Sequence, residues 1–311
     1  MQKPSQYGGP VAAIALALSF SSLASHADAC ACGCGVFNVG AGMLPDGSRA
    51  ALSLDYGFMD QSDNWHGGSS APAANNDDKG IRTDFVTLGG QYRIAKSWIV
   101  SASAPYWNRT FQTDTSAGVA RFHHGAFSDI SLTATWTGLS KDMSTGLILG
   151  VKLPTGDHSY ANFDPDTSIS SGSTDLILGA YRRGMLNRDG TITYFTHGVW
   201  QKPLDWRANY RPGEEVNLAT GLAGSGWSLA GGKANLSPVI QLIASIRARD
   251  HGSDGHPSDS GYERLMAAPG LEFQTDHWRV YGQVALPIYQ RVNGNQLIAP
   301  VMFKATLTRT F

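Results

Sequence analysis

Cys30, Cys32 and Cys34 are the three cysteines of this 311-residue chain. In an extended segment the C-x-C-x-C spacing puts all three sulfurs on one side. Thiolates so placed suit a soft metal ion, copper or zinc, or an iron–sulfur site, although such sites usually take a fourth ligand or a partner chain. In an oxidising compartment the same residues give one disulfide and one free thiol. A redox or thioether attachment point and a structural or processing role are the remaining readings. No C-x-x-C-H pattern for haem attachment occurs. The expectation is no resident cofactor, with a soft metal ion (Cu or Zn) at the three cysteines as the alternative.

Other residue types offer less chemistry. His66, His123, His124, His158, His251 and His256 fall in polar connecting segments, where solvated histidine is the default. Asp77-Asp78 and Asp164 with Asp166 form acidic pieces that could take Ca²⁺ or simply stay hydrated, and no D-x-[DN]-x-[DN]-G loop accompanies them. There is no G-x-S-x-G elbow, and His197 is the one strand histidine worth asking about. The chain therefore reads as a non-enzyme. Lys+Arg (24) and Asp+Glu (25) nearly cancel, so nothing points to nucleic acid.

The two ends say where these residues are held. Lys3 is the only charge before an apolar run at 11–20, and Ala27-Asp28-Ala29 has the A-x-A form of a signal-peptidase site. The run is too short to cross a bilayer, which takes roughly 20 apolar residues. A lipoprotein signal is the competing reading, since Cys30 follows the cut, but Ala27 and Asp28 fit a lipobox poorly. At the other end Leu297, Ala299, Val301, Phe303, Ala305 and Leu307 share one face, while Ile298, Pro300, Met302, Lys304, Thr306 and Thr308 share the other, and the run stops on Phe311. That pattern is the closing strand of an outer-membrane β-barrel. The expected organisation is a secretory signal peptide over 1–29, a Cys/Gly-rich periplasmic segment over 30–48 that could plug the barrel, and a barrel over 49–311.

Period-2 alternation marks twelve strands, at about 50–59, 82–93, 98–108, 126–137, 145–155, 174–183, 191–202, 214–223, 234–249, 263–274, 278–289 and 297–311. Long polar connections (60–81, 109–125, 156–173, 203–213, 250–262) alternate with short ones (94–97, 138–144, 184–190, 224–233, 275–277), and the last connection, near 290–296, is short. Outer-membrane barrels keep this rhythm, with short periplasmic turns and long extracellular loops. The fold class is all-β, a closed antiparallel transmembrane barrel of the outer-membrane type. Both ends then lie in the periplasm of a Gram-negative cell. Pro105, Pro154, Pro238, Pro269, Pro287 and Pro300 each remove a ladder donor and mark a bulge or a strand end.

Parity assigns the faces. Ile130, Leu132, Ala134 and Trp136 oppose Asp129, Ser131, Thr133 and Thr135, and the strands at 234–249 and 278–289 divide in the same way. A lipid-facing Arg or Lys costs about 2–4 kcal/mol at mid-bilayer, so the charged parity is the lumen. The expected lumen set is Asp55, Asp129, Asp175 and Glu272 against Lys152, Arg183, Arg247, Arg249, Arg279, Arg291 and Lys304. Cations lead, which favours anionic or polar aromatic solutes. The alternative is a set of internal ion pairs that holds the barrel round. Tyr92, Trp98, Trp136, Phe273, Trp278 and Phe311 sit on the apolar parity at the short-turn ends, as an interfacial belt would.

Several phrases add a resemblance. They are Leu149-Gly150-Val151-Lys152-Leu153-Pro154-Thr155-Gly156-Asp157, Gly172-Ser173-Thr174-Asp175-Leu176, Ala104-Pro105-Tyr106 and Val284-Ala285-Leu286-Pro287-Ile288-Tyr289. They resemble the outer-membrane family described as phenol-degradation meta-pathway proteins, over most of residues 80–311. The resemblance implies a transporter-like barrel, in some cases encoded with aromatic catabolism. Arg309 departs from the usual barrel ending, which favours an apolar or aromatic residue two before the final Phe. An internal echo, D-[IL]-x-L-x-A at Asp129 and again at Asp175, places both aspartates at the outer end of downward strands. The functional expectation is a channel for small molecules, aromatic or anionic solutes among them. Its partners would be the solute, outer-membrane lipid and the barrel-assembly machinery. The alternative is a metal- or redox-linked outer-membrane component that uses the cysteine segment to dock a periplasmic partner.

Overall fold

The computed structural model describes residues 48–311. The expected signal peptide and cleavage site, and Cys30, Cys32 and Cys34, lie outside the described residues. From Ala50 onward the chain is almost continuous β-structure: β1 (Ala50–Gln61), β2 (Asp63–Gly67), β3 (Ser69–Ser70), β4 (Asp78–Ala95), β5 (Trp98–Thr115), β6 (Gly118–Phe127), β7 (Ile130–Trp136) and β8 (Thr145–Leu153). There follow β9 (Asp175–Met185), β10 (Ile192–Pro203), β11 (Glu215–Gly224), β12 (Trp227–Leu229), β13 (Ala234–Arg247), β14 (Tyr262–Thr275), β15 (Trp278–Ile298) and β16 (Met302–Thr310).

Twelve of these form a closed antiparallel ring in the order β1, β4, β5, β7, β8, β9, β10, β11, β13, β14, β15, β16. The last strand meets the first in continuous register, from Ala51 opposite Thr310 to Met59 opposite Met302. Closure leaves no row of unpaired amides, which hydrocarbon would not tolerate. The four remaining strands lie outside the ring. β6 pairs the far half of β5, β2 pairs the end of β15 and carries β3, and β12 pairs the start of β13.

The faces follow the expected parity. Leu132 and Leu242 point outward and are each 43% exposed, whereas Gln241, one residue from Leu242, is 1% exposed. Exposed Leu54, Leu88, Leu149, Leu218, Leu271 and Phe303 continue an apolar coat around the wall. A water-soluble sandwich would bury these residues; here hydrocarbon must cover them. Tyr92, Trp98, Phe273, Trp278 and Phe311 are exposed at the short-turn rim, and Trp98 lies opposite Trp136.

Three departures have physical causes. The segment 109–125, expected as a loop, is mostly a β-hairpin, because β5 carries on past the ring. Pro105 sits where β5 changes partner, with Ser103 opposite Ser131 on β7 and Tyr106 opposite Phe127 on β6. A residue without an N–H fits that switch point. Second, β16 begins at Met302, and rather than facing lipid Leu297 is buried against Phe163 and Ile169, and Ala299 against Met59, Ala285 and Met302. Third, β15 carries a bulge: Leu265 is opposite Tyr289 but Met266 is opposite Pro287, so Ile288 is the extra residue. One extra residue reverses the facing of everything beyond it. Arg291, expected in the lumen, is therefore exposed on the outside, and Val292 is buried in its place.

Placing an arginine on the coated face tests this assignment. Leu242→Arg should lower folding stability by about 2–4 kcal/mol in urea titrations in lipid vesicles, because the charge enters hydrocarbon. Thr135→Arg, on the lumen parity, should cost clearly less.

Candidate functional site

The lumen holds a cavity of about 310 Å³. One of its walls carries an aliphatic patch. Ile148 on β8, Gly179 on β9 and Val199 on β10 are cross-strand neighbours, and Ile99, Ile177 and Tyr181 extend the same surface. Glycine at 146 is needed for the shape of this wall, since a Cβ there would lie 2.5 Å from the Tyr181 ring. The Tyr181 hydroxyl donates to the Met143 carbonyl at 3.0 Å, which fixes the ring at the short-turn end.

The wall formed by β15, β16 and β1 is charged. Asp55 accepts a hydrogen bond from Thr306 Oγ1 at 2.6 Å and another from Ser53 Oγ at 3.3 Å, and Lys304 Nζ lies 3.9 Å from the same carboxylate. Arg279 Nε is 3.5 Å from Glu272 Oε1. Arg93 and Arg183 line the cavity toward the short-turn end, and His197 lines it from β10. Between the two walls runs a band of hydroxyls from Ser101, Ser103, Ser131 and Thr133. The cavity is thus amphipathic, with cations and hydroxyls facing branched aliphatic side chains.

A second cavity, of about 140 Å³, lies toward the long-loop end and shares Thr87, Ser103, Ser131 and Gln201 with the first. At its edge Lys152 Nζ bridges Asp129 Oδ2 at 3.1 Å and Asp175 Oδ2 at 3.0 Å, and donates to Ser171 Oγ at 2.7 Å. Asp129 also accepts from the Gly156 amide and the Ser170 hydroxyl, and Asp175 from Gln201 Nε2. The two aspartates of the sequence echo therefore meet at one lysine.

The segment 156–173 is folded into the mouth above this cavity. Thr167, Ile169 and Ser170 are buried, and Phe163 and Ile169 pack with Ile81, Phe111 and Leu297. Arg109, 1% exposed, clasps the segment: Nη1 donates to the carbonyls of Thr167 and Ser168, while Nε donates to Thr83 Oγ1 at 2.9 Å. Ser128 Oγ holds the Ile169 carbonyl at 2.7 Å. At the outer edge His124 Nε2 meets Asp157 Oδ2 at 2.8 Å, and the His124 ring stacks on Tyr160. The amide and hydroxyl of Ser159 and the His124 ring, all bonded to Asp157, hold its carboxyl down at about 2.

Of the expected lumen residues, Asp55, Lys304 and Arg279 line the main cavity, Arg279 carrying Glu272 as its partner. Arg183 lines it nearer the short turns. Asp129, Lys152 and Asp175 form the bridged group, and Arg247 is buried against Asp250 at 2.7 Å. Arg249 lies beyond β13, exposed, and donates to the Pro257 carbonyl at 3.0 Å, so it belongs to the loops and not to the lumen. Arg291 is outside because of the bulge. Arg109 is absent from the expected set because 109–125 reads as a polar connection; the parity of 98–108, continued through Trp107, Arg109 and Phe111, places it inside.

No protein-family model matches the chain, and no curated protein matches it in sequence. Solved structures do match. The COG4313 outer membrane channel from Pseudomonas putida F1 superposes with a TM-score of 0.59 at 13% identity, covering 88% of this chain and 100% of that one. The fold is that of an outer-membrane β-barrel. The beta domain of the Bordetella autotransporter BrkA gives a TM-score of 0.50 at 12% identity, over 85% of this chain and 100% of that one.

Two outcomes test the clasp. Arg109→Met should release 156–173, seen as faster amide exchange and proteolysis confined to that segment. The Asp157 contacts add stability that is complete above the ordinary carboxylate value of 3.8 and is lost as pH falls through about 2. Exchange at 156–163 should accordingly rise between pH 4 and pH 2 in the native chain, and Asp157→Asn should abolish that rise.

Proposed function

We propose that the protein is a passage through the Gram-negative outer membrane for small amphipathic anions, aromatic carboxylates in particular. The observation that carries this reading is the two-sided cavity inside a lipid-coated wall. A flat apolar ring would lie on Ile148, Ile177 and Val199 while its carboxylate faces Lys304 and Arg279. A cation facing a low-dielectric lumen favours anions over neutral or cationic solutes of the same shape. The COG4313 protein is described as an outer membrane channel, and that description agrees with the reading. In this reading the short turns and the N-terminal segment face the periplasm and the long loops face outward. The protein is a transporter and not an enzyme. Its partners are the solute, the surrounding lipid and the machinery that inserts barrels, and segment 156–173 must shift for a solute to enter.

Flux into proteoliposomes tests the proposal. Benzoate should enter faster than benzylammonium, and Lys304→Gln should cut benzoate flux about fivefold, equivalent to roughly 1 kcal/mol. Benzylammonium entering as fast as benzoate, or neither exceeding empty liposomes, would overturn it.

A further inference from the structure

Arg309 breaks the apolar parity of β16 on the lipid side, and nothing in the passage of a solute uses it. It lies opposite Trp278 on one neighbouring strand and Leu52 on the other. Its guanidinium is 5.3 Å from the centre of the Trp278 ring and 5.0 Å from that of Phe311. Arg49, just ahead of β1, sits 5.4 Å over the Tyr92 ring. Ring contacts of this kind hold the cation but leave its N–H donors unsatisfied.

Two other arginines at this rim are tied to acceptors. Arg182 Nε donates to the Tyr194 hydroxyl at 3.2 Å, and Arg93 Nε donates to the Ser48 carbonyl. Among the described residues, the side chains of Arg49 and Arg309 make no hydrogen bond and no ion pair. Asp276, in the turn before Trp278, pairs with neither. The main-chain oxygen of Phe311 accepts from the backbone amides of Arg49 and Ala50, at 2.9 and 3.3 Å. The patch thus keeps a net positive charge at the level where aromatic rings mark the edge of the hydrocarbon.

Its shape suits a lipid. β4, β1 and β16 lie side by side, with Tyr92 opposite Ala50 and Ala50 bonded to Phe311. At strand spacings near 4.8 Å, the two flanking rings stand about 10 Å apart. The outward residues Ala50 and Gly90 are small, and the exposed Leu52 side chain stands beside Gly90 on the same face. Guanidinium groups match phosphate oxygens in pairs, and exposed Leu52, Leu54 and Leu88 offer an acyl chain an apolar surface down the wall.

We infer that the β4–β1–β16 seam binds one phospholipid, its phosphate held by Arg49 and Arg309 and one acyl chain lying on the apolar face of Leu52, Leu54 and Leu88. This rests on the proposed setting of the wall in a bilayer, but not on what crosses the lumen. Native mass spectrometry of the full chain, released from detergent with added dioleoylphosphatidylglycerol or with dioleoylglycerol, tests it. The folded protein should keep one phosphatidylglycerol and no diacylglycerol. Arg49→Gln/Arg309→Gln should lose the retained lipid several-fold, Arg309→Lys should lose less, and benzoate flux should be unchanged in both. Folding is read from heat-modifiable mobility in electrophoresis. Equal retention of the two lipids, no lipid retained by the folded native chain, or full retention by the double variant would overturn the inference. Should the double variant not fold, the comparison of the two lipids on the native chain decides. Lipid retained without solute flux would sink the passage reading and leave this one standing.

Discussion

A backbone amide in hydrocarbon has no water to bond, and the whole architecture answers to that fact. The β1–β16 ladder is its direct expression: Ala51 to Met59 meet Thr310 to Met302 without a gap. Once the ring closes, period-2 alternation sends one set of side chains to lipid and the other into a confined space. Charges admitted to that space must find partners within it. Lys152 between Asp129 and Asp175, Arg279 beside Glu272 and Arg247 against Asp250 are the outcome.

The same confinement makes the mouth and the lumen a single structure. Arg109 belongs to the wall, yet its guanidinium binds carbonyls of the segment that covers the opening. Asp129 likewise joins the Lys152 bridge to the amide of Gly156, where that segment begins. The cover is therefore held by lumen side chains, while aromatic packing of Phe111 on Phe163 supplies its apolar seat. Below it, β8 to β10 give the cavity its aliphatic patch, Ile148, Ile177 and Val199, with Arg183 and His197 at its edges, while β15, β16 and β1 contribute Arg279, Lys304 and Asp55.

Most of the wall was legible in the chain, since alternation is a local signal and each strand carries its own. Leu132 against Thr133, and Leu242 against Gln241, state their sides without help from neighbours. What escaped was non-local. The bulge at Ile288 has no mark in the sequence beyond a nearby proline, yet it moves Arg291 to the outside. The extension of β5 past Asn108 depends on β6 folding back beside it, so Arg109 was lost with the loop assignment. Asp129, Lys152 and Asp175 could each be assigned to the lumen, but their meeting at one ammonium follows from register between strands. Leu297 kept its alternation yet lies under loops, because period alone does not tell lipid from a packed cap.

The strands of the ring differ greatly in length. β7 has 7 residues and β8 has 9, whereas β4 and β5 have 18 and β15 has 21. At about 3.3 Å per residue, β7 rises roughly 23 Å and β15 roughly 70 Å. A barrel whose staves are cut so unequally has an uneven rim, tall at β4–β5 and β15, low at the 9-residue β16 and at β7 and β8, which form a sill. The sill is where segment 156–173 leaves the wall. Anything arriving from above is screened on the tall flanks and meets the opening over a low edge, beside segment 156–173.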